Sequence, residues 1–207
     1  MTDNGRQLPA GGDFNHKKNN RTISEQLTIE LSDEALNPRL RVGAVIASAF
    51  ISKCQKYRYS LTRIWDESKP KVMFVMLNPS TADGTQDDPT IRRCIGFAKS
   101  WGYGGMYVCN LLAYRATDPK DLLKVDNPFG DQNIWVTRQH IDEVELVVCA
   151  WGNEPIVKRL FGGTSPYRML GFAKSKLHYL ELSKHGVPKH PLYLKSNLKP
   201  VKMYNVS

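Results

Sequence analysis

The chain has 207 residues, which suits one domain with short additional segments. No apolar run reaches the length of a membrane span, and the first residues lack the apolar core of a secretory signal, so we expect a cytoplasmic protein outside the membrane. The formal net charge is +9, and from residue 151 onwards ten Lys or Arg residues stand against two acidic ones. This one-sided basic segment favours a polyanionic partner such as nucleic acid, with a merely solvated surface as the alternative.

The first part of the chain gives the least regular pattern. Residues 1–22 are polar and contain several glycines, which predicts a flexible tail, and residues 23–207 are predicted to form a single domain. The small apolar residues of 42–50 fit a helix or a strand equally well.

From residue 57 onwards the pattern becomes regular. Continuous apolar runs predict buried strands at 71–77, 106–112, 146–150 and, less strongly, 177–182. Helical spacing and capping residues predict helices that begin at Pro89, with Asp88 as N-cap, and at 133–144, 154–162 and 166–175. Strands that alternate with helices predict a three-layer α/β/α sandwich with a central, mainly parallel four-stranded sheet.

The segments that follow the four predicted strands hold most of the chemically interesting residues. Ligands of open parallel sheets bind outside the carboxyl ends of the strands, so we expect these segments to converge. They are 78–81, 110–117, 151–153 and 190–193. The four cysteines form no C-x-x-C pair, and neither a metal nor a cofactor is predicted.

Four motifs in this order resemble the uracil-DNA glycosylase superfamily. They are VMFVMLNPSTAD at 72–83, CNLLAYRATDPKDL at 109–122, LVVCAWGN at 146–153 and HPLYL at 190–194. The chain is more closely similar to an uncharacterised prokaryotic and phage family (DUF1643-like), through these motifs together with YRYSLTRIW at 57–65 and DPTIRRC at 88–94. The resemblance implies a uracil-DNA glycosylase-like fold and cleavage of the bond between a base and its sugar.

The resemblance also implies catalytic roles. Asn78 matches the position that orients the attacking water, and because an amide is a poor base, Asp83 or Asp87 on the same loop could assist. His190 matches the histidine that donates a hydrogen bond to the departing base as negative charge develops. Both Asn78 and His190 could instead be ordinary turn or loop residues.

The predicted base pocket contains eight residues. They are Pro79, Ser80, Thr81, Asn110, Arg115, Trp151, Gly152 and Asn153. Asn110 offers an amide that could read a base edge. Ser80 stands where the uracil-specific enzymes place a tyrosine that blocks carbon five of the pyrimidine. This difference implies a pocket open to 5-substituted pyrimidines, including the hypermodified cytosines of phage DNA.

DNA contacts are predicted for eight residues. Basic side chains and an apolar loop that could replace the flipped base supply them: Arg58, Arg63, Arg93, Lys189, Leu192, Tyr193, Leu194 and Lys195.

The expected activity is that of a monomeric, metal-free and monofunctional DNA glycosylase, since no lysine in the matched motifs could form a Schiff base. One alternative is a protein that binds DNA or a modified base without cutting. Another is a hydrolase of free nucleosides or nucleotides.

Overall fold

The computed structural model describes residues 40–42, 45–80, 82–84, 86–152, 155–162 and 164–204. The predicted tail at 1–22 and the predicted start of the domain at residue 23 lie outside this part of the chain. Within it, no helix is long and apolar enough to cross a membrane.

The structure is built around one eight-stranded sheet in the order β1-β2-β3-β5-β4-β6-β7-β8. In chain order the strands are β1 (Leu40–Val42), β2 (Val45–Ile51), β3 (Arg58–Ile64), β4 (Lys71–Met76), β5 (Gly105–Asn110), β6 (Val147–Cys149), β7 (Leu177–Tyr179) and β8 (Val201–Lys202). The segment that fitted a helix or a strand therefore forms β2.

The prediction of a mainly parallel four-stranded sheet is wrong in size and in type. Strands β5, β4, β6 and β7 are the four predicted ones, and they are parallel to one another. They form only the centre of the sheet. Strands β1, β2 and β3 add an antiparallel meander next to β5, and β8 pairs antiparallel with β7, so the whole sheet is mixed.

The helices connect the parallel strands as predicted. They are α1 (Pro89–Ser100), α2 (Asn133–Asp142) and α3 (Pro155–Leu160), and 3-10 helices span Pro119–Lys124, Pro166–Lys176 and Pro191–Tyr193. Helix α1 begins as the sequence indicates, since Asp88 Oδ1 accepts a hydrogen bond from the Ile91 amide at 2.8 Å and Pro89 occupies the first turn.

Apolar cores cover both faces of the central strands. Val72 and Phe74 of β4 pack in one core with Phe97 of α1. Their neighbours Met73 and Val75 point to the other face, into a core that includes residues of α2, α3 and the 166–176 segment. Burial on both faces explains the continuous apolar runs of these strands.

Candidate functional site

A cavity of about 660 Å³ opens at the carboxyl ends of the parallel strands. The segments after β4, β5, β6 and β7 all contribute to its wall, together with the first residue of β3, so the predicted convergence is confirmed. Eleven predicted site residues line it: Arg58, Asn78, Ser80, Trp151, Gly152, Lys189, His190, Leu192, Tyr193, Leu194 and Lys195.

Asn78 is held in a fixed orientation on the cavity wall. Its Nδ2 donates hydrogen bonds to the carbonyl oxygens of Ala116 at 2.8 Å and Pro79 at 3.0 Å. The Ala116 amide also donates to the Pro79 carbonyl at 3.0 Å, which joins the loops after β4 and β5. Because both amide hydrogens are engaged, Oδ1 is the Asn78 atom left to accept a hydrogen bond from water.

His190 is held in one tautomer at the start of the 191–193 segment. Its Nδ1 accepts a hydrogen bond from the Leu192 amide at 3.4 Å, so in the neutral ring the proton sits on Nε2. Burial lowers the pKa of His190 below its ordinary value of 6.5, and the carboxylate of Asp88 acts weakly in the opposite direction. The histidine is therefore a neutral hydrogen-bond donor at neutral pH.

Asp83 and Asp87, predicted to assist catalysis, are bound to other groups of the protein. Asp83 Oδ1 accepts a hydrogen bond from the Gln86 amide at 2.8 Å. Asp87 pairs with Arg63 at 2.9 Å. Neither carboxylate lines the cavity, because Asp83 is engaged within the loop that leads into α1 and Asp87 is paired with Arg63 of β3.

Asp88 is the carboxylate that this loop contributes to the cavity. Its Oδ1 caps α1, which leaves Oδ2 for other partners. The pattern of an N-cap before proline identified the structural role of Asp88. It gave no signal for the second role, which depends on where the helix starts relative to the sheet.

The predicted base pocket is only partly assembled at the cavity. Trp151 is buried and meets Tyr167 edge-on, with ring centroids 5.0 Å apart. Gly152 has φ +83°, and its amide donates to the Pro188 carbonyl at 2.9 Å. This turn brings the His190 segment against the end of β6.

Three other predicted pocket residues lie away from the cavity lining. Pro79 is buried, and Arg115 Nη1 donates to the Gln55 carbonyl at 3.2 Å. Asn110 is 2% exposed and its amide has no hydrogen-bond partner among the described residues. Asn110 is the register partner of Met76, which does line the cavity. Thr81 and Asn153 lie outside the described residues.

The predicted DNA contacts of Arg58, Arg63 and Arg93 are wrong as contacts on an exposed surface. Arg58 and Arg63 are buried, with 1% and 3% of their surface exposed. Arg93 is half-buried, donates from Nη2 to the Leu194 carbonyl and lies over the Phe97 ring at 5.1 Å. It thereby fixes the 191–194 segment onto α1.

The rim of the cavity carries exposed basic and aromatic groups. Lys195 is exposed, and Tyr193 is 85% exposed beside His190, with ring centroids 6.0 Å apart. Lys189 forms an ion pair with Glu181. Leu192 is half-buried and Leu194 is buried in the core, so Tyr193 is the residue of this loop that projects furthest into solvent.

Nine residues that line the cavity were not among the predicted site residues: Met76, Leu77, Asp88, Thr90, Ile91, Ala116, Thr117, Pro119 and Glu181. Among the described residues, no group of three His, Cys, Asp or Glu side chains is arranged to hold a metal ion. The site therefore offers a water-binding amide, a neutral imidazole, a buried guanidinium and two carboxylates, of which Glu181 is paired with Lys189.

The fold and the site define a mixed α/β domain with a polar cavity at the carboxyl edge of its parallel strands. The chain belongs to the family described as proteins of unknown function (DUF1643), whose family model matches residues 58–192. No curated protein and no solved structure matches the chain.

Proposed function

We propose that the chain is a monofunctional DNA glycosylase that hydrolyses the N-glycosidic bond of a modified or mismatched base, with a 5-substituted pyrimidine as the expected target. The observation that carries the proposal is the meeting of Asn78 and His190, which are far apart in sequence, in one cavity at the carboxyl ends of the strands. The uracil-DNA glycosylase-like three-layer arrangement is part of the same proposal.

The proposed reaction uses the groups in the cavity as follows. The bond between C1′ of the sugar and the base nitrogen breaks, and both electrons go to the base. The oxygen of a water held by Asn78 Oδ1 bonds to C1′, and its proton passes to Asp88 and then to solvent. His190 Nε2–H donates to the base as its negative charge grows, and the released base takes up a proton from solvent.

Ser80 supports the choice of target. It is a small, half-buried residue of the cavity wall, so it leaves room for a group on carbon five of a pyrimidine. A flipped base with a bulky substituent needs such room, since base flipping places the whole base inside the pocket.

A panel of duplex and single-stranded DNAs tests the proposal. Each DNA carries one modified or mismatched base, including 5-hydroxymethylcytosine, glucosylated 5-hydroxymethylcytosine and uracil, and released base is detected by mass spectrometry. His190→Ala is expected to lower the rate of release roughly 100-fold or more. His185→Ala, which changes an exposed histidine five residues earlier, should act like the wild type.

A protein that binds a modified base without cutting is the second candidate. The engagement of Asp83 within its loop and of Asp87 with Arg63 of β3 favours it, because these carboxylates are then unable to activate water. Alkaline treatment after incubation separates the candidates, since only an enzyme leaves abasic sites that break. Tight binding of a modified duplex without breaks would support the binding protein and contradict the glycosylase.

A further inference from the structure

Two buried arginines lie five residues apart on β3, and their surroundings differ. Arg63 is saturated: Nε donates to Asp87 at 2.9 Å, Nη1 to the Thr62 and Ser48 carbonyls, and Nη2 to the Asp83 carbonyl at 2.7 Å. Among the described residues, the Arg58 guanidinium donates one hydrogen bond, from Nη1 to the Ala82 carbonyl, and its buried Nε has no partner.

Arg58 also differs from Arg63 in facing the cavity. It lines the cavity although only 1% of its surface is exposed, so a group that meets it must enter the cavity. Asp88 lines the same cavity, yet Arg58 forms no ion pair within the described part of the chain. Burying a cation without an ion-pair partner costs free energy, because the charge loses its water. An anionic ligand in the cavity would offset this cost.

The side chain of Arg58 carries its charge at neutral pH. Burial lowers its pKa to about 10, with Asp88 acting in the opposite direction, so the guanidinium remains ionised at neutral pH. In the proposed complex, backbone phosphates meet exposed cations such as Lys195 at the rim, and the flipped base is the group expected to reach Arg58.

We propose that Arg58 is an anion-binding residue of the cavity that receives the negative charge of the departing pyrimidine. This inference rests on the proposed function and adds a second group to His190. As the C1′–N bond breaks, the electron pair delocalises onto the exocyclic carbonyl oxygens of the base, and the free N–H groups of Arg58 donate to such an oxygen. The guanidinium keeps its proton throughout.

Two free pyrimidine ligands that differ in charge test the inference. Barbituric acid is a pyrimidine that is ionised at neutral pH, and uracil is a neutral one. Binding of each ligand is measured by calorimetry to the wild type, Arg58→Met, Arg58→Lys and Lys174→Met, after circular dichroism has verified folding; Lys174 is exposed and does not line the cavity. Inorganic phosphate is the third ligand.

The wild type is expected to bind barbiturate at least tenfold more tightly than uracil. Arg58→Met should abolish this preference, Arg58→Lys should keep part of it, and Lys174→Met should leave it unchanged. Equal binding of the two pyrimidines by the wild type, or a preference that survives in Arg58→Met and Arg58→Lys alike, overturns the inference. Phosphate binding that is as tight as that of barbiturate and depends on Arg58 also overturns it, in favour of a phosphate site.

Base release from DNA keeps this inference distinct from the proposed function. With 5-fluorouracil, a better leaving group than uracil, Arg58→Met should lose less activity than it loses with uracil. If the ratio of the release rates of 5-fluorouracil and uracil is the same in the wild type and in Arg58→Met, the role of Arg58 is contradicted while the glycosylase proposal is not. If barbiturate binds through Arg58 but no DNA loses a base, the glycosylase fails and the anion site stands.

Discussion

At the scale of single residues, the environment of Asn78 explains why an amide occupies this position. The carbonyl oxygens of Pro79 and Ala116 both accept hydrogen bonds from Nδ2. An ionised carboxylate has no hydrogen to donate and would face these two oxygens as an anion. The surroundings of residue 78 therefore favour asparagine over aspartate, although aspartate is the stronger base.

Asn78→Asp is predicted to be destabilising and less active, although aspartate is chemically the stronger base. Loss of the two hydrogen bonds should lower the free energy of unfolding by about 1–3 kcal/mol, as measured by urea denaturation at neutral pH. Asn197→Asp makes the same charge change at an exposed residue outside the cavity lining and should be close to neutral. A stable and faster Asn78→Asp enzyme would contradict the role given to the Asn78 amide.

A site residue could be predicted from the sequence when its position depends on the neighbouring residues in the chain, and not when it depends on pairing with distant segments. Asn78 and His190 follow strands and match short motifs, so they were found from the sequence. The burial of Arg58 could not be, because β3 reaches its place through pairing with β2 and β5, including a register shift between Phe50 and Ile51. Such pairing is set by distant parts of the chain.

At the scale of elements, the turn after β6 shows how the sheet positions the histidine. Gly152 has φ +83°, and a Cβ built there would lie 3.5 Å from the His190 Cβ. The distance is an ordinary contact, so the need for glycine comes from the left-handed backbone.

Gly152→Ala is predicted to lower the free energy of unfolding by about 1 kcal/mol or more and to reduce base release by shifting the His190 segment. Gly96→Ala is the matched control, because Gly96 lies exposed within α1 with nothing within 4 Å of a built Cβ. It should raise stability by about 0.5–1 kcal/mol. Thermal and urea denaturation give both values, and a stabilising Gly152→Ala would contradict the account of the turn.

The central elements were predictable and the flanking ones were not. Strands β4, β5 and β6 are buried on both faces and therefore appear as apolar runs. Strand β8 is two exposed residues long, and β3 carries two arginines, so neither has the composition of a buried strand. The prediction of four strands therefore included only the strands whose residues form continuous apolar runs.

At the scale of the whole molecule, two partly buried histidines, His140 and His190, couple stability to pH. Burial lowers the pKa of both His140 and His190 below the ordinary value of 6.5, so the folded state keeps them neutral. The unfolded chain takes up protons near pH 6.5, before the folded chain does, and the stability present above this pH is lost as the pH falls towards the lowered values.

The melting temperature is therefore expected to fall between pH 7 and pH 5, measured by calorimetry at constant ionic strength. Replacing both histidines by glutamine should flatten this part of the profile. His185→Gln, at an exposed position, should leave the slope as in the wild type. An unchanged slope in the double variant would show that other groups carry the pH dependence.

Salt should weaken binding to DNA, because a protein with a net charge of +9 displaces counterions when it meets phosphates. Lys195→Glu is predicted to lower affinity by about threefold or more at low salt and to reduce the dependence on salt. Lys174→Glu is the control, since Lys174 is exposed just before the amino end of β7, at the opposite edge of the sheet from the cavity. Equal effects of the two changes would assign binding to overall charge.

The double engagement of Asp88 limits how this site can diversify. One oxygen of the carboxylate starts helix α1 while the side chain also faces the cavity. A substitution at residue 88 would fray the helix and remove the acid in the same step. New substrate preferences are therefore expected to arise by substitution of other residues of the cavity wall, such as Ser80 and Thr90, while residue 88 stays acidic.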